Sequence, residues 1–179
     1  MPDPLPAFPV VYWTQWDAEA TFLPGEELPG ESQGRLWAVL VFVFYGDKLV
    51  LAEIEGRGMC VPSGRVEPGE AIAAAAEREA MEEAGVVIDP ERLRLVGCYR
   101  LDQPDGARRY CPVFVAEALG LVDIPPGSES RGRFLASVED VSDLYYTWDA
   151  LMASVFAFAD ERRRDLFRPG ISISKLLEG

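Results

Sequence analysis

Hydrophobic residues from Trp37 onward follow a strand pattern first and a helix pattern afterwards. The segment Trp37–Tyr45 is β-branched and aromatic, and Gly46-Asp47 predicts a turn into a second strand, Lys48–Ile54. Alanine and isoleucine then fill Ala71–Ala76, which is strongly helix-forming material. We expect Gly85 to end this helix, because glycine is favoured just past a helix C-terminus.

The next part of the chain returns to strand character. Val86–Ile88 predicts a short strand ended by Asp89-Pro90. Leu93–Leu101 and Arg109–Leu119 alternate between apolar and polar positions, and Pro104-Asp105-Gly106 between them predicts the turn of a hairpin.

The remaining pattern predicts one more strand and a long helix. Phe134–Val141 has the character of a strand followed by a turn, and Thr147 is suited to cap a helix from Trp148 to about Phe167. Basic residues in Arg162–Arg164 favour a helix C-terminus there. The order of strands, helix, strands and helix predicts an α/β/α sandwich with a mixed β-sheet.

Residues 1–33 differ from this body because they are rich in proline and contain little helical signal. Val10–Trp13 predicts a short strand, and Trp16 and Phe22 are suited to dock on the body or on a second copy of the chain. A loosely ordered arm is the alternative. We therefore divide the chain into an extension (1–33), a main domain (34–167) and a C-terminal tail (168–179), and a homodimer is possible.

Three glutamates near the end of the first helix lie on one face. Glu79, Glu82 and Glu83 occupy positions i, i+3 and i+4, which are neighbours on a helix surface. Like charges this close repel, so folding alone does not favour the arrangement, whereas a hard cation such as Mg²⁺ prefers oxygen ligands. A solvated acidic helix face is the alternative interpretation.

The residues around these glutamates match a known motif. The chain resembles the Nudix hydrolases, because their box G-x5-E-x7-R-E-U-x-E-E-x-G-U is matched by Gly64, Glu70, Arg78, Glu79, Glu82, Glu83, Gly85 and Val86, with Ala80 at the first aliphatic position. Upstream, Met59–Gly64 lacks the Trp and the Pro-Gly-Gly that many relatives carry. The Nudix fold is also an α/β/α sandwich.

The resemblance implies a chemistry and a set of metal ligands. Nudix hydrolases cleave a nucleoside diphosphate linked to another group, by attack of water on a phosphorus of the pyrophosphate. It implies that Glu79, Glu82 and Glu83 hold Mg²⁺ or Mn²⁺, with a main-chain carbonyl near Ser63 completing the oxygen shell. Arg78 is expected to bond carboxylates of the box, with Glu70 as its partner.

Candidates for the general base lie outside these ligands. The chain contains no histidine, so we expect a carboxylate to act as the general base. Relatives often draw the base from a loop ahead of the last helix, and Glu129 is the one carboxylate in the corresponding segment, 127–134. Glu67, inside the box, is the second choice.

Aromatic and basic residues of the predicted hairpin are candidates for substrate binding. Tyr99, Arg109 and Tyr110 offer the rings and guanidinium groups that a nucleobase and phosphates require, and Arg100 and Arg108 are close in sequence. A second group with the same character is Tyr145, Tyr146 and Trp148. Ordinary packing in the core or at a strand edge is the alternative for both.

Composition and charge limit the kinds of molecule and the compartment in which we expect this protein to act. A formal net charge of −13 disfavours nucleic acid as a partner, and the apolar run Val39–Phe44 is too short to span a membrane. The N-terminus lacks the pattern of a secretory signal, and Cys60, Cys98 and Cys111 are expected to be reduced in the cytoplasm.

Two function classes are compatible with this sequence. The first is a metal-dependent hydrolase of a small nucleotide derivative, and the second is a nucleotide-binding or sensing module of the same fold without turnover. Loss of a ligand glutamate would favour the module, and none is lost. Isomerase chemistry would need acid and base groups that are not evident here.

Overall fold

The computed structural model describes residues 7–167. The strands are β1 (Val11–Trp13), β2 (Ala18–Pro24), β3 (Ala38–Tyr45), β4 (Lys48–Ile54), β5 (Gly58–Cys60), β6 (Ser63–Arg65), β7 (Val86–Asp102), β8 (Arg108–Leu121) and β9 (Ser130–Ala136). The α-helices are α1 (Ile72–Ala84), α2 (Val141–Leu144) and α3 (Ala150–Leu166). The predicted C-terminal tail, 168–179, lies outside the described residues.

All nine strands of the described chain belong to one mixed sheet. Their order is β1-β2-β7-β8-β3-β4-β5, while β6 pairs with β3 and β9 pairs with β4. Strands β3 and β8 run parallel, and the other pairs are antiparallel. The prediction of an α/β sandwich with a mixed sheet is confirmed.

Strand β3 divides the core because successive side chains of a strand point to opposite faces. Val39, Val41 and Val43 belong to the cluster that includes the α1 alanines, whereas Phe42 and Phe44 belong to the cluster that includes α3. The fully buried alanines of α1 are Ala75, Ala76, Ala80 and Ala84. Ala73 of the same helix is only partly buried. These side chains let α1 lie close to the sheet.

The N-terminal cap of α3 differs from the prediction. Asp149, not Thr147, has the extended backbone of an N-cap, and its carboxylate accepts a hydrogen bond from Met152 N at 2.8 Å. The other Asp149 oxygen accepts from Trp13 Nε1 at 2.7 Å. A carboxylate with two acceptor oxygens can serve both donors, so one residue caps α3 and anchors the N-terminal segment.

Strand β7 continues past Asp89-Pro90, where the sequence predicts a break. The register shifts between the pairs Ile88↔Ala118 and Leu93↔Ala116, so more residues lie on the β7 side than on the β8 side. Pro90 is exposed within this irregular stretch. A proline without a ladder donor is tolerated at a bulge, so the strand resumes instead of ending.

The N-terminal segment packs on the body rather than forming a loose arm. β1 pairs with β2, and β2 pairs with β7, so this segment extends the sheet. Phe22 is buried, and Trp16 packs against the core, as their predicted docking role requires. No described helix has both the length and the apolar character needed to cross a membrane. The three cysteines are free and buried.

Candidate active site

Arg78 of α1 is the centre of a network that holds the loop before the helix. Its Nε donates to Glu70 Oε1 at 2.8 Å, and its Nη2 donates to Glu70 Oε2 at 3.0 Å. Nη2 also donates to the carbonyl oxygen of Arg65 at 2.9 Å. Glu67 N donates to Glu70 Oε2 at 3.0 Å. The predicted pair of Arg78 and Glu70 is therefore present, and it fixes the loop against the helix.

Glu70 acts through this pair and not through the helix dipole. The helix starts at Ile72 with Ala71 as its N-cap, and its first turn contains no acidic residue. The hydrogen bonds from Arg78, together with that from Glu67 N, lower the pKa of Glu70 to about 2. The Glu70 side chain is therefore directed to the guanidinium of Arg78.

The same guanidinium reaches two of the three glutamates. Arg78 Nη1 lies 2.7 Å from Glu79 Oε1 and 3.3 Å from Glu82 Oε2. Glu79 is nearly buried, with 9% of its side chain exposed, whereas 52% of the Glu82 side chain is exposed. The hydrogen bond to Glu70 chiefly, and the one to Glu79 next, raise the pKa of Arg78. A permanently charged Arg78 partly offsets the repulsion among these carboxylates.

Glu83, the third glutamate, is held by the backbone of β6. Ser63 N, in β6, donates to Glu83 Oε2 at 2.8 Å. Burial raises the pKa of Glu83 to about 7, with smaller contributions from the charges of Glu79 and Glu129. Burial also raises the pKa of Glu79. Two neighbouring carboxylates are thus placed where their anionic forms are poorly solvated, which is a site suited to a cation.

Gly64 is required by the close approach of β6 to α1. A Cβ at Gly64 would lie 2.0 Å from Glu79 Oε1, and its three nearest atoms would all belong to the Glu79 carboxyl group. Glycine at this position therefore lets the strand pass over the carboxylate. The first glycine of the box is explained by contact with a proposed metal ligand.

The C-terminus of α1 is held by a residue that the sequence did not point to. Arg133 Nη1 donates to the carbonyl oxygens of Ala84 at 2.8 Å and Val122 at 2.7 Å. Gly85 follows the helix with φ 59°, and a Cβ there would lie 2.3 Å from Val122 O. The predicted helix end at Gly85 is confirmed. Arg133 has no distinctive sequence signal beyond its position in a strand rich in arginine.

A cleft of about 480 Å³ lies over the three glutamates. One wall carries Glu79, Glu82 and Glu83, and the other is residues 125–129. Glu129 therefore faces the carboxylates, and its carbonyl oxygen is held by Glu55 N at 3.0 Å. Glu67, the alternative base, is exposed and does not line this cleft.

The donor set fits a divalent cation. Among the hydrogen bonds of the described residues, each glutamate uses one oxygen, which leaves Glu79 Oε2, Glu82 Oε1 and Glu83 Oε1 without a protein donor. No group of three acidic, histidine or cysteine side chains in residues 7–167 is already gathered around one point. Arg78 and Ser63 hold only one oxygen of each of these three glutamates, so the second oxygen of each carboxylate is available to a cation.

A second cavity, of about 180 Å³, lies beside Ser63 and Gly64. Tyr99 lines it, and so do Tyr145 and Tyr146. Arg109 does not line it, but its guanidinium lies 4.8 Å from the ring of Trp37, which does.

Two further candidates, Tyr110 and Trp148, do not line this cavity. Tyr110 is fully buried and lines neither cavity, so it offers no surface to a ligand. Trp148 packs against Tyr145 and Phe156.

Several lining residues were not predicted as a binding surface: Trp13, Trp16, Trp37, Arg57 and Arg65. The sequence predicts these tryptophans as strand or docking residues, because a sequence alone does not show which apolar side chains leave a space between them. Arg57 carried a usable signal, since it is a cationic residue between two glycines, Gly56 and Gly58, in the segment that leads to the box. Arg65 lies inside the box at a variable position.

The contact between Gly64 and Glu79 predicts a coupling between two substitutions. Gly64→Ala should lower the free energy of unfolding by about 1–3 kcal/mol, the usual cost of overpacking. In a Glu79→Ala background the same change should cost less than about 0.5 kcal/mol, because the obstructing carboxyl group is gone. Urea unfolding of the four proteins measures this coupling.

Gly120→Ala is the matched control for this cycle, since a Cβ at Gly120 meets nothing within 4 Å. It should change stability little in either background. Equal costs of Gly64→Ala with and without the Glu79 carboxyl group would contradict the packing described here.

Comparison with known proteins identifies the family. The NUDIX domain profile matches residues 34–158. The pyrophosphohydrolase BsRppH of Bacillus subtilis, solved as a mutant, is 23% identical with a TM-score of 0.66, covering 84% of this chain and 92% of its own. A NUDIX hydrolase from Nitrosomonas europaea is 23% identical with a TM-score of 0.51, covering 70% of this chain and 88% of its own.

A third structure, an ADP-ribose pyrophosphatase from Streptococcus suis, is 18% identical with a TM-score of 0.56, covering 73% of this chain and 92% of its own. No curated protein matches the chain significantly. The structural likenesses show the fold, and the profile covers most of the chain, including the whole loop and helix of the acidic cleft. The chain belongs to the NUDIX domain family.

Proposed function

We propose that this protein is a metal-dependent hydrolase of a nucleoside diphosphate linked to another group, acting by attack of water on a phosphorus of the pyrophosphate. The observation that carries the proposal is the cleft in which Glu79, Glu82 and Glu83 face Glu129. Solved structures of the same fold include a pyrophosphohydrolase and an ADP-ribose pyrophosphatase, which supports this reaction class.

The three glutamates of α1 would hold Mg²⁺ or Mn²⁺, with the carbonyl oxygen of Ser63 as a further ligand. Hard oxygen donors suit both ions. Bound there, a divalent ion neutralises the pyrophosphate and lowers the pKa of a coordinated water. The three glutamates line the cleft, and burial of Glu79 and Glu83 makes a positive charge favourable beside them.

Arg78 is a positioning residue in this proposal. Its hydrogen bonds to Glu70 and to the carbonyl of Arg65 hold the loop, and its bond to Glu79 orients that carboxylate. Lysine could not replace these bonds, because it lacks the planar set of donors that serves a carboxylate with two nitrogens.

Glu129 is the proposed general base. It lies on the wall opposite the ligands, where a water attacking a phosphorus between the walls would pass its proton. Its side chain is exposed, so water and substrate can reach it.

The chemistry of the whole chain agrees with a small anionic ligand and no nucleic acid. A net charge of −13 gives no basic surface for a phosphate backbone, so phosphates need the metals and a few arginines. Three free cysteines fit the reducing environment of the cytoplasm, where we propose that the enzyme acts.

The wild-type protein with Mg²⁺ or Mn²⁺ should release a nucleoside monophosphate or pyrophosphate from at least one member of a broad nucleotide panel. Glu82→Gln and Glu83→Gln should each lower kcat by about 10²-fold or more, since each removes one charge of the ligand set. Product release measured by ³¹P NMR checks this.

Glu77→Gln is the matched control, because Glu77 lies on the same helix outside the cleft. It should keep full activity. Normal turnover by both Glu82→Gln and Glu83→Gln would contradict the ligand assignment, and binding without hydrolysis across the panel would favour a nucleotide-sensing module.

For the general base, Glu129→Gln should lower kcat and abolish the acidic limb of the pH–rate profile, because glutamine accepts no proton. Glu67→Gln should leave that limb unchanged. The assignment fails if Glu129→Gln retains the wild-type profile, and an effect confined to Glu67→Gln would transfer the role to Glu67.

A further inference from the structure

The cavity beside the acidic cleft has one wall from outside the NUDIX match. Trp13 and Trp16 line the cavity and precede residue 34, where the match begins. Their segment is part of the sheet, because β2 pairs with β7. The N-terminal segment therefore contributes to a space that the rest of the fold does not enclose alone.

This wall is held in place by specific contacts. Trp13 Nε1 donates to Asp149 Oδ2 at 2.7 Å, and its ring centroid lies 5.1 Å from that of Tyr99. Trp16 meets Trp37 edge to face, with centroids 4.6 Å apart and an interplanar angle of 84°. Aromatic rings fixed in this way form a preorganised surface, which lowers the cost of binding a flat ligand.

The charged side chains at this cavity are positive, whereas the whole chain is negative. Arg57 and Arg65 line it, and no described acidic side chain does, although the chain carries a net charge of −13. The Arg65 guanidinium lies 4.8 Å from the Trp37 ring, and the Arg65 carbonyl accepts from Arg78. The cavity therefore favours an aromatic ligand that carries negative charge.

The size and position of the cavity define which part of a ligand it takes. Its volume of about 180 Å³ is below the roughly 300–1,000 Å³ typical of pockets that enclose a drug-sized ligand, so it fits one ring system and not a whole nucleotide. Ser63 and Gly64 line it, and the same two residues contact Glu83 and Glu79. A ligand with its ring in the cavity thus has its phosphates directed past this loop to the cleft.

We propose that this cavity binds the nucleobase of the substrate, and that Trp16, from the N-terminal segment, is a substrate-binding residue that the base contacts together with Trp37. The proposal rests on the proposed function for its ligand class, a nucleoside diphosphate derivative. Stacking on aromatic rings is available to every base, so Trp16 sets affinity, while the shape of the cavity selects which base enters.

The first test uses the wild-type protein and needs no substitution. With metal chelated by EDTA, the AMP, GMP, CMP or UMP that binds best should shift the indole N–H resonances of Trp13, Trp16 and Trp37 in a ¹⁵N spectrum. Trp148 does not line the cavity and is the internal control. Ribose 5-phosphate, which lacks a base, should bind at least about tenfold more weakly.

Two substitutions test the residue assignment by calorimetry. Trp16→Ala should weaken binding of that nucleotide by about tenfold or more, whereas Trp16→Phe should retain most of it. Ala38→Phe, which places a ring inside the cavity from β3, should abolish base binding while every aromatic and basic wall residue is kept.

The outcomes separate this proposal from the proposed function. Nucleotide hydrolysis with no indole shift, and with the KM of Trp16→Ala unchanged, would overturn the cavity assignment and leave the hydrolase intact. Indole shifts in a protein that hydrolyses no nucleotide would support the cavity and refute the hydrolase. Equal binding of ribose 5-phosphate and the nucleoside monophosphates would also overturn the base assignment.

Discussion

The bidentate pair between Arg78 and Glu70 is the interaction on which the arrangement of the site depends. It connects the loop that follows β6 to the first turns of α1, and a third bond to the Arg65 carbonyl fixes the strand as well. Because the same guanidinium contacts Glu79 and Glu82, the geometry of the loop and the geometry of the carboxylates are set together. Removal of Arg78 would release both the loop and the carboxylates.

Close packing is the second condition for placing carboxylates against a strand. Fully buried alanines bring α1 onto the sheet, and Gly64 leaves room for the Glu79 carboxyl group. The result is costly in the absence of a cation, because burial raises the pKa of both Glu79 and Glu83. Burial of these carboxylates destabilises the folded protein, and three carboxylate oxygens nevertheless stay free. Such a site favours a ligand of opposite charge.

The sequence predicted the features set by local rules and missed those set by tertiary contact. Gly85 follows from the rule for helix ends, and the pair of Arg78 with Glu70 is implied by the resemblance to the Nudix box; the structure has both. Asp149, itself a favoured cap residue, is the cap instead of Thr147, and its second oxygen accepts from the distant indole of Trp13, a contact that no local pattern shows. The cavity at Trp16 depends on a strand pairing between β2 and β7, which joins residues far apart in sequence and carries no local signal.

Calorimetric titration of Mn²⁺ into the nucleotide-free protein tests the central claim most directly, since the claim concerns the carboxylates and not the substrate. The account predicts saturable binding to the wild-type protein, the same binding to Glu77→Gln, and binding weakened by about tenfold or more in Glu83→Gln, because one of the three charges of the set is lost. Equal Mn²⁺ affinity for Glu83→Gln and wild-type protein, or no binding to either, would contradict it.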